Sequence, residues 1–68
     1  MKRVDLKKLD RAITQSGMKR TWLAQRLDMS IPTLRSRLYG EKPFTVEELL
    51  EVCEAIGRNV EEFLYDEI

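Results

Sequence analysis

Two guanidiniums two residues apart, Arg35 and Arg37, carry the most specific chemistry in the chain. Each presents a planar fork of N–H donors that fits a carboxylate, a phosphate or the O6/N7 edge of guanine. Around them stand the hydroxyls of Ser30, Thr33, Ser36 and Tyr39 and the further cations Lys19, Arg20 and Lys42. Hydroxyls make permissive hydrogen bonds, and Ile31 and Pro32 can offer only apolar contact, to a thymine methyl for example. The set is suited to gripping a polyanion and sampling groups along it. Other chemistry is poorly served. With no histidine and one cysteine, Cys53, a Cys/His metal site and an intramolecular disulfide are both excluded. There is no glycine-rich phosphate loop, and the carboxylates fall on exposed helix faces without an acid or base partner. No catalytic residue, cofactor or metal is therefore expected.

The charge balance agrees once it is divided. The formal net charge is zero, but residues 1–42 hold eleven Lys and Arg against four Asp and Glu, while residues 43–68 hold Arg58 against eight acids. A basic half can neutralise phosphates, and an acidic half pointing away from them would orient the protein. Lys2, Arg3, Lys7, Lys8 and Arg11 either extend that basic footprint or are simply solvated. Hydrophobic residues at 43% and charged residues at 35% lie away from the composition of disordered chains. No apolar run is long enough to span a bilayer, and the opening Met1-Lys2-Arg3-Val4-Asp5 lacks the apolar core of a signal peptide. The expectation is a soluble protein of the cytoplasm without a membrane partner.

The elements that must position these residues are read from punctuation and periodicity. At 68 residues the chain suits one domain, 1–68. Gly17, Gly40, Pro43 and Gly57 divide it into helix-sized pieces. Asp5 can cap a helix over about 5–16 whose apolar face is Leu6, Leu9 and Ile13, with Gly17 as its stop. A poorly capped helix over about 19–27 carries Leu23, Ala24 and Leu27. After a break at Asp28, Met29 and Ser30, a helix over about 31–39 has Ile31, Leu34 and Leu38 inward, with Ser30 as N-cap and Pro32 in the tolerant first turn. Thr45 and Glu48 form a capping box for a helix over about 46–56, with Val46, Leu49, Leu50, Cys53 and Ile56 inward. Asn59 and Glu62 repeat the box for a short fifth helix over about 60–65 that buries Phe63. Nothing alternates with a period of two, so five helices and no sheet are expected.

The stretch Arg20 to Gly40 carries the functional signal. A helix bearing Leu23, Ala24 and Leu27 meets a tight turn, and Ser30 then opens a helix bearing Leu34. A small Ala24 lets the helices cross closely, and Met29 fills the corner between them. Together with Gly40, the Phe44-Thr45 entry to the fourth helix and Asn59, this spacing resembles the phage repressor and Cro type of helix-turn-helix regulators along nearly the whole chain. The resemblance implies an all-α, lambda repressor-like five-helix bundle that binds double-stranded DNA at pseudo-palindromic operators, with the 31–39 helix in the major groove. It implies base contacts from Ser30, Ile31, Pro32, Arg35 and Ser36, with Tyr39 at the edge of the same face, and a phosphate contact from Arg20, where the second helix begins. Chemistry adds Lys19, Arg37, Tyr39 and Lys42 as phosphate contacts.

Three positions depart from the family pattern. Asp28 stands where glycine is usual, so either Asp28 takes the left-handed conformation or the turn differs. Lys19 replaces a capping Ser or Thr. Arg37 replaces an apolar residue, which leaves two settings of the reading face. One is led by Arg35; the other centres on Pro32, Thr33 and Ser36 with Arg35 and Arg37 on its flanks. Trp22, where relatives carry a polar residue, is expected to pack over the first helix.

Relatives of this size bind as dimers through the fifth helix and the segment after it, here Leu64, Tyr65 and Ile68. The acids among these residues point to a weak homodimer formed on DNA. A different class of function stands beside the repressor: an antitoxin-like or adaptor module that binds a basic partner through Glu47, Glu51, Glu54, Glu61 and Glu62. The chain is either a complete Cro-sized protein or part of a longer one.

Overall fold

The α-helices begin where a short polar side chain accepts an orphan backbone N–H, with the second the exception, and three of them end at a glycine in left-handed conformation. The computed structural model describes residues 2–66. Helix α1 (Leu6–Ser16) starts at Asp5, whose carboxylate accepts from the Lys8 N–H at 3.1 Å, and stops at Gly17. Helix α2 (Arg20–Arg26) has Lys19 at its N-cap with no side-chain bond, as a lysine must. Helix α3 (Ile31–Tyr39) is capped by Ser30 and closed by Gly40 at φ 84°. Helix α4 (Val46–Ile56) opens on the reciprocal Thr45–Glu48 capping box and closes at Gly57.

The expected fifth helix is corrected by the structure. Val60–Phe63 is a single 3-10 turn, boxed by Asn59 and Glu62. The chain then runs extended as strand β2 (Leu64–Asp66), antiparallel to β1 (Lys2–Val4), with Val4 opposite Leu64 and Lys2 opposite Asp66. The mostly helical chain therefore has four α-helices and a small two-stranded sheet among its described residues. Three-residue strands are too short to show alternation, and their pairing joins the two ends of the chain, so no local pattern announces it. The Asp5 N–H donates to the Phe63 carbonyl at 2.6 Å and Phe63 is fully buried, which anchors the ladder to the core.

That core is Leu9, Ala12 and Ile13 of α1, Leu23 and Ala24 of α2, Leu34 and Leu38 of α3, Leu49, Val52 and Cys53 of α4, and Phe63. The inward face of α4 differs from expectation. Val46 is 74% and Leu50 48% exposed, while Val52 is fully buried. The stripe is centred on Leu49, Val52 and Cys53, at i, i+3 and i+4; Val46, the first helical residue, lies ahead of the core and Leu50 one step off it. No helix among the described residues is long and apolar enough to cross a membrane.

Candidate nucleic-acid interface

Helices α2 and α3 meet at a turn whose geometry rests on one residue. Asp28 has φ 57°, the left-handed conformation that Asp tolerates at lower cost than most side chains, so the turn keeps a glycine-like shape without glycine. The Met29 N–H returns to the Ala24 carbonyl at 3.0 Å, and Met29 packs half-buried against the core. Ala24, 2% exposed, admits this close crossing.

Ser30 opens α3 by accepting the Thr33 N–H at 3.3 Å and donating its own hydroxyl to Thr33 Oγ1 at 2.9 Å. With Leu34 and Leu38 buried, Pro32, Arg35 and Tyr39 stand exposed at i, i+3 and i+7, and Ile31, Thr33 and Ser36 are half-buried. Arg37 turns the other way. Its side chain is 18% exposed, its Nε donates to the Pro43 carbonyl at 3.0 Å and lies 3.5 Å from Glu48 Oε1. Arg35 therefore projects from the helix, while Arg37 ties α3 to the α3–α4 loop and to α4.

Two depressions gather the candidate residues. One is lined by Arg20, Asp10, Ile31, Arg35 and Tyr39, which brings the start of α2 beside the exposed face of α3. The other is lined by Pro32, Thr33, Ser36, Arg37 and Lys42. Exposed Lys19 lines neither of these. Arg20 is fixed by a salt bridge to the Asp10 carboxylate and by Thr14 Oγ1 at 3.1 Å, so α1 aims it. At the ends of the chain, Lys8 Nζ donates to the Glu62 carbonyl at 2.8 Å, and Lys2 and Arg3 line a cleft with Arg37 and Tyr65.

Residues named for assembly are placed unevenly. Leu64 is half-buried against the core, Tyr65 is 50% exposed, and Ile68 lies outside the described residues. Trp22 is 46% exposed and carries the Arg26 guanidinium 5.5 Å from its ring centroid; it is not among the residues packed on the core. Arg26 also reaches Glu51 at 3.0 Å, linking α2 to α4. Burial, with the nearby Glu62 charge, pushes the Cys53 thiol up from its ordinary range, so it stays protonated within the core.

Sequence reasoning missed Asp10 and Thr14, which hold Arg20, and Glu41, which meets Ser36. Asp10 and Thr14 at i and i+4 on α1 give a usable clue to one polar stripe. Glu41 gives none, because its position depends on how Gly40 reverses the chain.

A family model described as Cro/C1-type HTH DNA-binding domain matches residues 8–67. No curated protein and no solved structure matches the chain.

Proposed function

Because the chain belongs to the Cro/C1-type HTH DNA-binding domain family, we propose that this DNA-binding transcription regulator is a repressor of the phage type that reads the major groove with α3. The observation that carries the reading is the exposed stripe Pro32, Arg35 and Tyr39 on a helix whose capped N-terminus projects from a turn set by Asp28. Arg35 is the principal base reader, by bidentate donation to guanine, and Ser36, Pro32, Thr33, Ile31 and Ser30 make the surrounding contacts. Lys19, Arg20, Tyr39, Lys42 and the terminal nitrogens of Arg37 contact phosphates, which fixes register without conveying sequence.

Unbiased selection of bound duplexes tests this directly. The selected sites should show half-site symmetry with a guanine that depends on Arg35. Arg35→Ala should cost about 1 to 3 kcal/mol on the preferred site and relax one base pair. Selection that enriches no sequence would refute the reading.

One observation favours a second reading: Leu50 and Val46 stand exposed beside Glu47 and Glu51 on α4, a surface suited to a basic protein partner. An adaptor working through that surface alone would show no mobility shift with duplex DNA at low salt, whereas the repressor would.

A further inference from the structure

Besides Asp10, which is paired with Arg20, a second carboxylate stands at the C-terminal end of α3. Gly40 at φ 84° turns the chain back, and the Glu41 N–H closes the turn by donating to the Ser36 carbonyl at 3.0 Å. This brings exposed Glu41 back beside half-buried Ser36, and its Oε2 accepts the Ser36 hydroxyl at 3.3 Å. Ser36 lines the same depression as Lys42 and Arg37. A negative charge beside cations meant for phosphates opposes binding unless it meets a donor on the DNA, since its repulsion from the backbone is otherwise uncompensated. In the major groove the available donors are the amino groups of cytosine N4 and adenine N6, and a carboxylate is suited to cytosine N4.

We infer that Glu41, oriented by Ser36, is a specificity-determining residue that accepts a hydrogen bond from a cytosine amino group next to the bases contacted by Arg35. The inference rests on α3 being the groove-borne helix. A carboxylate at this point also makes binding discriminatory by penalising every base that leaves it without a donor, in the way a buried acceptor penalises a missing partner. Arg35 thus selects an acceptor-rich purine while the Ser36–Glu41 pair selects a donor, two complementary requirements from adjacent positions.

The test is binding-site selection, with affinities measured on the selected site and its single-base variants, for the full chain and for Glu41→Ala and Glu41→Gln. Both substitutions are at an exposed side chain and leave the backbone turn bond intact, so the fold is retained, as circular dichroism would verify. The wild-type protein should prefer cytosine about fivefold to tenfold at one position of each half-site. Glu41→Ala should reduce that preference below about twofold while the guanine chosen by Arg35 persists. Glu41→Gln should shift it towards adenine, which Gln contacts through N6 and N7. If Glu41→Ala instead tightens binding to every sequence by the same factor and leaves the base frequencies unchanged, the carboxylate only repels phosphates and the inference is overturned alone. A wild-type protein that selects no sequence overturns the functional reading and this inference with it.

Discussion

Arg35 and Arg37 have the same chemistry and differ by two positions, yet the fold uses them differently. The difference is where each sits relative to Leu34 and Leu38. Arg35 stands exposed beside the groove that Arg20 enters, whereas Arg37 has spent its Nε on the Pro43 carbonyl and sits 3.5 Å from Glu48. Because the bond is open to solvent, it is worth about 1 kcal/mol, at the upper end of what exposed ion pairs contribute. Arg37→Ala should therefore lower the denaturant midpoint by an amount equal to about 1 kcal/mol and weaken DNA binding evenly, with base preference intact. Equilibrium urea unfolding and selection on the variant check both halves. Unchanged stability with one relaxed base pair would mean that the reading face is the one flanked by Arg37.

At the scale of elements, Gly40 does more than end a helix. Its φ of 84° is one that L side chains rarely adopt, and an added Cβ would lie 3.3 Å from the Leu6 side chain; at Gly17, with φ 76°, an added Cβ would meet nothing within 4 Å. Gly17→Ala should thus cost only the left-handed strain, about 1 kcal/mol, and Gly40→Ala measurably more, since Leu6 must also give way. Thermal unfolding of the pair separates the two terms. Equal losses would show that Leu6 adapts freely.

The same elements show what a linear reading can and cannot find. Caps and stops are local, so Asp5, Ser30, Thr45 and the three glycines are legible, as are the buried leucines of α1 to α3. The β1–β2 ladder pairs the two ends of the chain and has no local signature. The face of α4 is easily misjudged because Val46 and Leu50 are apolar at plausible spacing, and only the position of the core decides against them. Glu41 is invisible in the sequence because its place on the face of α3 is created by the reversal at Gly40. The candidate residues of α3 itself are legible from the helix-turn-helix spacing, but which arginine projects is not.

The final turn offers a pH-dependent check. The Arg58 guanidinium, with the Asn59 N–H, holds the Glu62 carboxyl below its ordinary value of 4.5. Since the folded-state value is the lower one, this contribution to stability is complete above about pH 4.5 and is lost as pH falls through the folded value. Glu62→Gln should be less stable than wild type near neutrality and should lose less on acidification, the two curves converging once pH has fallen below the folded value. Denaturant midpoints measured from neutrality into acid read this out. Parallel curves would place the acid sensitivity elsewhere.

The whole molecule sets two salt dependences against each other. If the basic half makes about five phosphate contacts, log K for DNA should fall with log salt at a slope of about −4 to −5. Assembly should respond in the opposite direction. Reading helices on a palindromic site lie one DNA turn, about 34 Å, apart, so each copy must reach about 17 Å to a two-fold axis. Principal extents of 34 × 23 × 18 Å permit that contact without requiring a broad one. Of the described apolar residues near the chain's end, Leu64 is already half-buried against the monomer's core and Phe63 wholly so, leaving Tyr65 at 50% exposure near Asp66, Glu61 and Glu62 in the sequence. Two such surfaces bring carboxylates together across the axis, a repulsion that salt screens. The free protein should be largely monomeric at micromolar concentration in low salt and associate more as salt rises. On a site with two half-sites, DNA would supply the effective concentration, and binding should be cooperative even where the free dimer is absent. Sedimentation equilibrium across concentration and salt, paired with titration of one-half-site and two-half-site duplexes, measures both behaviours. A nanomolar dimer insensitive to salt would mean that the end of the chain buries far more apolar surface than Tyr65 supplies. Strict one-to-one binding to a palindromic duplex would remove the dimer, leaving Arg35 and its neighbours to read a single half-site.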